Sequence, residues 1–394
     1  MDLLLLSVIA LVALALLFDF TNGFHDAANS VATVVATRAL PAKWAPAFSA
    51  FFNFLAYFVV GLAVANTVGK VVDSSYSGIA VIFSALIGAI TWNYATWFIG
   101  MPSSSSHALV GGLVGAGLGA GWTDAIDWSA VEKVLLAIMA SPLVAFTIAF
   151  LAMFVIAGFQ KLFKLHDDHV VFKVGQLISA AFVSLGHGAN DAQKTIGVIA
   201  ALLLGTGYSS VSQNADGDIS VDAWIPIAAY SAIALGTLWG GWKIIETMGL
   251  RITTLHANSG LAANLGAVTA IFGATSYGIP ISTTHAAASS VAGGGVASGR
   301  GLNLKVVGEM VLAWIVTIPS TVIIAFLLYK MTQLPTPLAV VSVGALLFVL
   351  GGFIAYAMTH TITAKDVEAE LPSTEQLEEH VPLHPTIEGH GPVE

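Results

Sequence analysis

Two short polar motifs, each set inside apolar sequence, occur twice in this chain and in the same order. Gly23-Phe24-His25-Asp26-Ala27-Ala28-Asn29-Ser30 returns as Gly188-Ala189-Asn190-Asp191-Ala192-Gln193-Lys194-Thr195. Gly100-Met101-Pro102-Ser103-Ser104-Ser105-Ser106-His107-Ala108 returns as Gly278-Ile279-Pro280-Ile281-Ser282-Thr283-Thr284-His285-Ala286. One short match could be chance. Two ordered matches, each centred on an unusual polar cluster, mark a duplicated structural unit.

Composition fixes the surroundings of that unit. Of 394 residues, 56% are hydrophobic and 9% are charged, where a soluble domain carries about 25% charged residues. So few charges cannot solvate the surface of a soluble protein of this length. Runs of about 20 apolar residues instead match the ~30 Å hydrocarbon thickness of a bilayer. Eleven such stretches cover roughly 1–38, 44–65, 78–99, 103–120, 134–158, 174–206, 223–243, 252–276, 280–298, 306–328 and 336–358. The first and sixth are long and interrupted by polar residues; the fourth and ninth are short, Gly-rich, and open with a proline and hydroxyls. At membrane depth such segments are tolerated only against protein or a water-filled cavity. The fold expected is an all-α polytopic membrane protein of about 11–12 segments with broken or re-entrant helices. The opening Met1–Phe18 run lacks a basic leader and a small-residue cleavage site, so it reads as a retained span. With no cysteine present, disulfide and thiol chemistry are excluded. The lipid bilayer is the expected surround, and no nucleic-acid partner is expected.

Most of the formal net charge of −9 belongs to the C-terminal tail, where Asp366, Glu368, Glu370, Glu375, Glu378, Glu379, Glu388 and Glu394 face only Lys365. Residues 361–394, carrying His380, His384 and His390, therefore read as a solvated, disordered acidic tail. The remaining divisions are a first repeat over 1–160, a connector over 161–173, a second repeat over 174–330 and an additional membrane helix over 331–360.

Loop charges relate the repeats. Arg38 and Lys43 follow the first Asp motif, whereas Asp216, Asp218 and Asp222 follow the second. Asp124, Asp127 and Glu132, with Lys133, follow the first Ser motif, whereas Arg300 and Lys305 follow the second. Cytoplasmic loops carry the Lys/Arg excess, so equivalent loops lie on opposite sides and the connector is cytoplasmic. Lys70 and Lys330 fall outside, against the trend. Inverted-topology repeats with discontinuous helices are the signature of a secondary transporter, with its site near the midplane.

Asp26 and Asp191 stand at equivalent positions in apolar context. A carboxylate there costs at least ~2.5–3.5 kcal/mol on insertion scales, which makes each a candidate site residue. The simpler reading of either alone is a structurally paired acid, for instance Asp191 with Lys194 three residues on. The hydroxyl clusters follow Pro102 and Pro280, as helix starts do. Their free N–H groups and positive dipole ends form anion cradles. Because Ile281 matches Ser103, the cradle hydroxyls are Ser104, Ser105, Ser106, Ser282, Thr283 and Thr284; the simpler reading is interhelical hydrogen bonding. Two carboxylates beside an anion repel it unless a cation lies between them or the anion donates a proton. Hydrogen phosphate has that proton and sulfate does not, so the acids favour phosphate and impose coupling to a cation. His107 and His285 read as capping or supporting groups, and Lys243 with Glu246 as an interfacial ion pair.

These residues resemble the PiT family of inorganic phosphate transporters, especially its bacterial low-affinity branch. The family's duplicated Gly-x-Asn-Asp-x-x-Asn signature is similar to 23–29 and 188–194, and its Pro-x-Ser-(Ser/Thr)-(Ser/Thr)-His element to 102–107 and 280–285. The resemblance implies inverted repeats, a homodimer, a bacterial inner-membrane location, and phosphate held between the signatures. It implies substrate and ion contacts at Asp26, Asn29 and Asp191; Lys194 is a further expected substrate contact, and His25 and Asn190 join the two acids as expected coupling-ion contacts. His25 and Lys194 replace Asn residues of the signature. An ammonium at the second position would repel sodium, and the branch with Gln-Lys there resembles proton-driven carriers of metal-complexed phosphate. The expected function is proton-coupled phosphate import by alternating access, with no cofactor and no enzymatic activity. Sodium coupling, transport of sulfate or another oxyanion, and divalent-metal transport are the alternatives. A metal-dependent hydrolase using Asp19, His25, Asp26, His107, His187, Asp191 and His285 is a fourth, disfavoured because an enzyme need not duplicate its site with opposite polarity.

The loop charges make a direct prediction. Cysteines introduced at Lys43 and Arg300 should react with impermeant maleimide only from the cytoplasm, and at Asp124 and Asp216 only from outside. Reaction of the Lys43 and Asp216 positions from one side would end the inverted-repeat argument.

Overall fold

The structure, a computed structural model, describes residues 2–371 except 74, 209 and 215–217. Asp216, His380, His384, His390 and the tail beyond 371 lie outside the described residues. The helices are α1 (Leu3–Ala36), α2 (Ala45–Leu55), α3 (Ala63–Gly69), α4 (Ile79–Phe98), α5 (Ser105–Gly121), α6 (Trp128–Phe163) and α7 (Val170–Thr206). They continue as α8 (Trp224–Trp239), α9 (Trp242–Glu246), α10 (Ala257–Ser276), α11 (Thr283–Ala297), α12 (Leu304–Thr332), α13 (Thr336–Thr359) and α14 (Ala364–Glu370). A small antiparallel hairpin, β1 (Val211–Gln213) with β2 (Ile219–Val221), caps the loop after α7.

Local sequence explains the helix ends. The Asp127 carboxylate accepts from the Ser129 and Ala130 N–H groups at the start of α6, and Asn303 accepts from Val306 at the start of α12. Both helices carry one internal proline, Pro142 and Pro319. The turns before α5 and α11 are likewise twins. Gly100 and Gly278, which head the repeated motif, take φ of 71° and 66°, a region where a side chain would be strained.

Packing shows how the halves fit. With α1–α6 matched to α7–α12, α1 packs on α8 while α7 packs on α2. In the same way α5 packs on α12 while α11 packs on α6. Each relationship occurs twice with the repeats exchanged, as a pseudo-two-fold axis requires, and α1 meets its counterpart α7 across that axis. The two inverted repeats are therefore interlocked, and neither could bury its own motif helices alone.

Glycines make the closest approaches. A Cβ on Gly23 would stand 2.2 Å from the Ile233 carbonyl oxygen of α8, and one on Gly188 would stand 2.4 Å from the Asn53 carbonyl oxygen of α2. The same exchange holds for Gly115 against Val322 and Gly293 against Phe146, at 2.2 and 2.4 Å. Between membrane helices, where burial of apolar surface gives little driving force, such close backbone packing holds the bundle together.

Among the described residues, six helices are long and apolar enough to cross a membrane by themselves, and a seventh span arises if residues 42–58 and 63–69 count as one despite an 89° bend. The remaining expected segments, among them α5, α8 and α11, are helices of 17 residues or fewer, or, as in α10, less apolar ones. The first and sixth stretches are continuous helices, α1 and α7, despite their polar residues. Their polar side chains bond across the helix interface, so the backbone ladder need not break. The sharp bend falls instead in the second stretch. The tail also begins later than 361. Thr363 caps α14 by a reciprocal box with Asp366, and Val367 is buried, with α14 resting on α9 and residues 42–44. Lys243 and Glu246 are not a pair: Lys243 Nζ donates to the Phe98 carbonyl at 2.8 Å, and Glu246 pairs with Arg251. On this short helix Lys243 turns toward the open C-terminal carbonyls of α4, a favoured place for a cation.

The close approaches predict the effect of single methyl groups. Gly23→Ala and Gly188→Ala should each lower thermal stability in detergent by about 1–3 kcal/mol, the range for overpacking. Gly158→Ala, which would meet nothing within 4 Å, should be neutral or slightly stabilising. Equal stability of all three would show that the helix contacts are looser than described.

Candidate functional site

The repeated motifs converge at the centre of the bundle. Asp26 on α1 and Asp191 on α7 are both buried, and the first turns of α5 and α11 reach them from either side. Sequence explains why those turns can do so. Each half-helix is capped by its own hydroxyl, Ser104 accepting from the His107 N–H at 3.2 Å and Ser282 from the His285 N–H at 3.1 Å. The next hydroxyls are then aimed inward.

Asp26 is gripped from three elements. His25 Nδ1 lies 2.7 Å from its Oδ1, Thr284 Oγ1 donates to Oδ1 at 3.1 Å, and Ser105 Oγ donates to Oδ2 at 3.0 Å. His25 is held in turn by Thr96 Oγ1, 3.1 Å from Nε2. Asp191 takes the Lys194 ammonium at 2.6 Å on Oδ1, and on Oδ2 Thr283 Oγ1 donates at 3.3 Å and the Asn22 amide at 3.4 Å. Asn29 Nδ2 donates to both Thr283 and Thr284 at 3.2 Å. Lys194 Nζ also donates to Ser106 Oγ and, at 3.1 Å, to the Ile281 carbonyl, which accepts from Ser106 Oγ at 2.9 Å as well. Thr283 lies 3.5 Å from Asp26 Oδ2, so one hydroxyl touches both carboxylates.

Three carboxylate and imidazole groups, from Asp26, His187 and Asp191, offer ligand atoms within 4.8 Å of one another. His187 Nε2 stands 3.4 Å from Asp191 Oδ2 without hydrogen-bond geometry, while its Nδ1 meets Asn53 Oδ1 at 3.1 Å. That geometry could admit a small cation between the repeats. The ammonium of Lys194 already occupies the other oxygen of Asp191.

Of the residues singled out by sequence, Asp26, Asp191, Asn29, His25, Lys194, Ser105, Ser106, Thr283 and Thr284 come together. Ser104 and Ser282 serve as helix caps. Asn190 turns away from the carboxylates, its amide donating to Thr275 Oγ1 at 2.9 Å and the Ile279 carbonyl at 3.2 Å. His107 and His285 meet edge to face, ring centroids 4.4 Å apart, and His285 stacks on Trp314 at 4.0 Å. Asn22 is a site residue that the motifs do not single out; it joins Ser105 Oγ (2.6 Å) to Asp191. Spacing carries its signal: Asn22 and His187 stand four residues before Asp26 and Asp191, on the same helix face.

Comparison with known proteins finds phosphate transporters. The PHO4 phosphate transporter family matches residues 22–325. A Rhizobium meliloti protein named a probable low-affinity inorganic phosphate transporter is 45% identical over 326 residues, covering 82% of this chain and 95% of its own length. A Bacillus subtilis protein of the same name is 37% identical, covering 84% and 98%. A solved structure named "The sodium-dependent phosphate transporter" superposes with a TM-score of 0.72 at 25% identity, over 83% of this chain and 99% of that one. With both halves of the duplicated site inside the matched region, this integral membrane protein belongs to the phosphate transporter family.

Proposed function

We propose that the chain is a secondary symporter that imports inorganic phosphate with protons by alternating access between the two repeats. One observation carries the coupling assignment: each central carboxylate has its own basic side chain. His25 lies 2.7 Å from Asp26, and the Lys194 ammonium lies 2.6 Å from Asp191.

The carboxylates, hydroxyls and amides form one hydrogen-bonded set in which donors are shared among neighbours. A tetrahedral oxyanion could take over the donors of Ser105, Ser106, Thr283, Thr284, Asn29 and Lys194, with the α5 and α11 dipole ends directed at it. A carboxylate so released could accept the proton of hydrogen phosphate, which sulfate lacks. Lys194 fixes a positive charge where a second monovalent cation would have to sit, and like charges at that distance repel strongly in a dry site. The Asp26–His187–Asp191 group offers ligand atoms for a metal ion that would travel with phosphate as a complex. Sodium coupling is the second reading, favoured by the same three groups and by the sodium dependence in the name of the solved relative. The proposal extends to a homodimer in a bacterial inner membrane, in line with the family resemblance and the bacterial relatives.

Imposed gradients separate these readings. In proteoliposomes, labelled phosphate uptake should follow a pH gradient and ignore sodium, and Lys194→Asn should weaken the response to pH. A wild-type requirement for sodium at constant pH would show that Lys194 does not exclude the ion, while the phosphate assignment would stand. The cradle predicts a separate loss. Ser105→Ala with Thr283→Val should weaken phosphate binding by about 1–3 kcal/mol for each donor removed from a buried site. Unchanged affinity, measured by calorimetry, would assign these hydroxyls to packing alone.

A further inference from the structure

Asp19 lies on α1, seven residues before Asp26 and two helical turns away. It is completely buried, and neither of its carboxylate oxygens has a hydrogen-bond partner among the described residues. Its counterpart in the second repeat is Ser184, whose hydroxyl is closed on the Ala180 carbonyl at 2.9 Å. Asp19 is therefore outside the duplicated site. Asn22 and Thr195 are its side-chain neighbours, and Asp191, Lys194 and Tyr230 act on it through space. Thr195 Oγ1 and the Tyr230 hydroxyl are also buried without partners among the described residues.

The helices packed on α1 bring few other titratable groups: His187, Asp191 and Lys194 from α7, Tyr230 from α8, Lys243 and Glu246 from α9, Tyr94 from α4, His107 from α5 and His285 from α11. On α1 itself are His25 and Asp26. Of their two ammonium groups, that of Lys194 is bonded to Asp191 and that of Lys243 to the Phe98 carbonyl. A carboxylate so buried, with no hydrogen bond made by either oxygen, bears the full desolvation cost of a charge unless it takes up a proton or a cation.

We propose that Asp19 is a proton-binding site and carries the proton that moves with phosphate. This rests on the proton-coupled reading above. The step is simple: a hydronium ion gives its proton to an Asp19 oxygen while the site is open to the outside, and water takes it back while the site is open to the inside. Linkage supplies the coupling. Phosphate bound beside Asp191 and Lys194 adds negative charge near Asp19 and strengthens its hold on the proton. By reciprocity, protonated Asp19 strengthens phosphate binding, and release of the proton weakens it.

The test uses the full chain in proteoliposomes, as wild type, Asp19→Asn and Asp19→Glu. Asp19→Asn should lose about tenfold or more of pH-driven phosphate accumulation yet keep phosphate–phosphate exchange, which needs no net proton movement. Asp19→Glu should retain accumulation. Wild type at neutral pH should show an infrared carbonyl band of a protonated carboxylic acid that Asp19→Asn lacks. The proposal fails if Asp19→Asn accumulates phosphate as wild type does, if it loses exchange and accumulation in parallel, or if the band is unchanged. Sodium-driven uptake by the wild type would overturn the coupling reading, and the infrared band would still decide whether Asp19 holds a proton.

Discussion

Two buried carboxylates that nearly touch through a shared hydroxyl are the constraint on which the rest of this structure depends. Asp26 and Asp191 repel each other in a medium too poor in water to screen them. Every element around them answers that repulsion with donors. The α5 and α11 turns supply hydroxyls and positive dipole ends, α1 supplies His25, Asn22 and Asn29, and α7 supplies Lys194. Removing the acids would leave these donors pointing at one another. A network that is complete only when both halves contribute also explains why the repeats interlock.

On the proposed function, the same network would couple binding to movement. Thr283 touches both carboxylates, and Asn29 holds Thr283 and Thr284 together. On the proposed function, an oxyanion entering the cluster would exchange these bonds in concert, and α5 and α11 would respond as a pair. Both half-helices pack with backbone closeness on the last helix of the opposite repeat, α5 on α12 and α11 on α6. Movement at either cradle would then reach the other half of the molecule through these close contacts.

Pseudo-symmetry supplies the scaffold, and departures from it supply the chemistry. Asn29 corresponds to Lys194, His25 to Asn190, Asn22 to His187, Ser103 to Ile281, and Asp19 to Ser184. In most of these pairs one member adds or withholds a charge or a proton. One half of the site therefore carries an ammonium, that of Lys194, which the other half lacks. A strictly duplicated site would bind an anion equally well from both sides but would give its two acids the same partners.

The sequence by itself determined the membrane environment, the helical class, the two repeats and the acids at their centre. Those features are written in composition and in local spacing, which need no knowledge of distant contacts. Spacing also placed Lys194 on the face of Asp191. Tertiary structure alone decided which hydroxyls face the acids and which cap their own helices, because Ser104 and Ser105 are adjacent and chemically identical until the helix start is fixed. It decided that Asn190 turns to Thr275, that Lys243 seeks α4 carbonyls instead of Glu246, and that the polar residues of α1 and α7 leave those helices unbroken. It also brought α1 against α8 and α7 against α2, where glycine lets backbones touch. Such pairings join residues more than a hundred positions apart, and no local pattern can encode a partner at that distance.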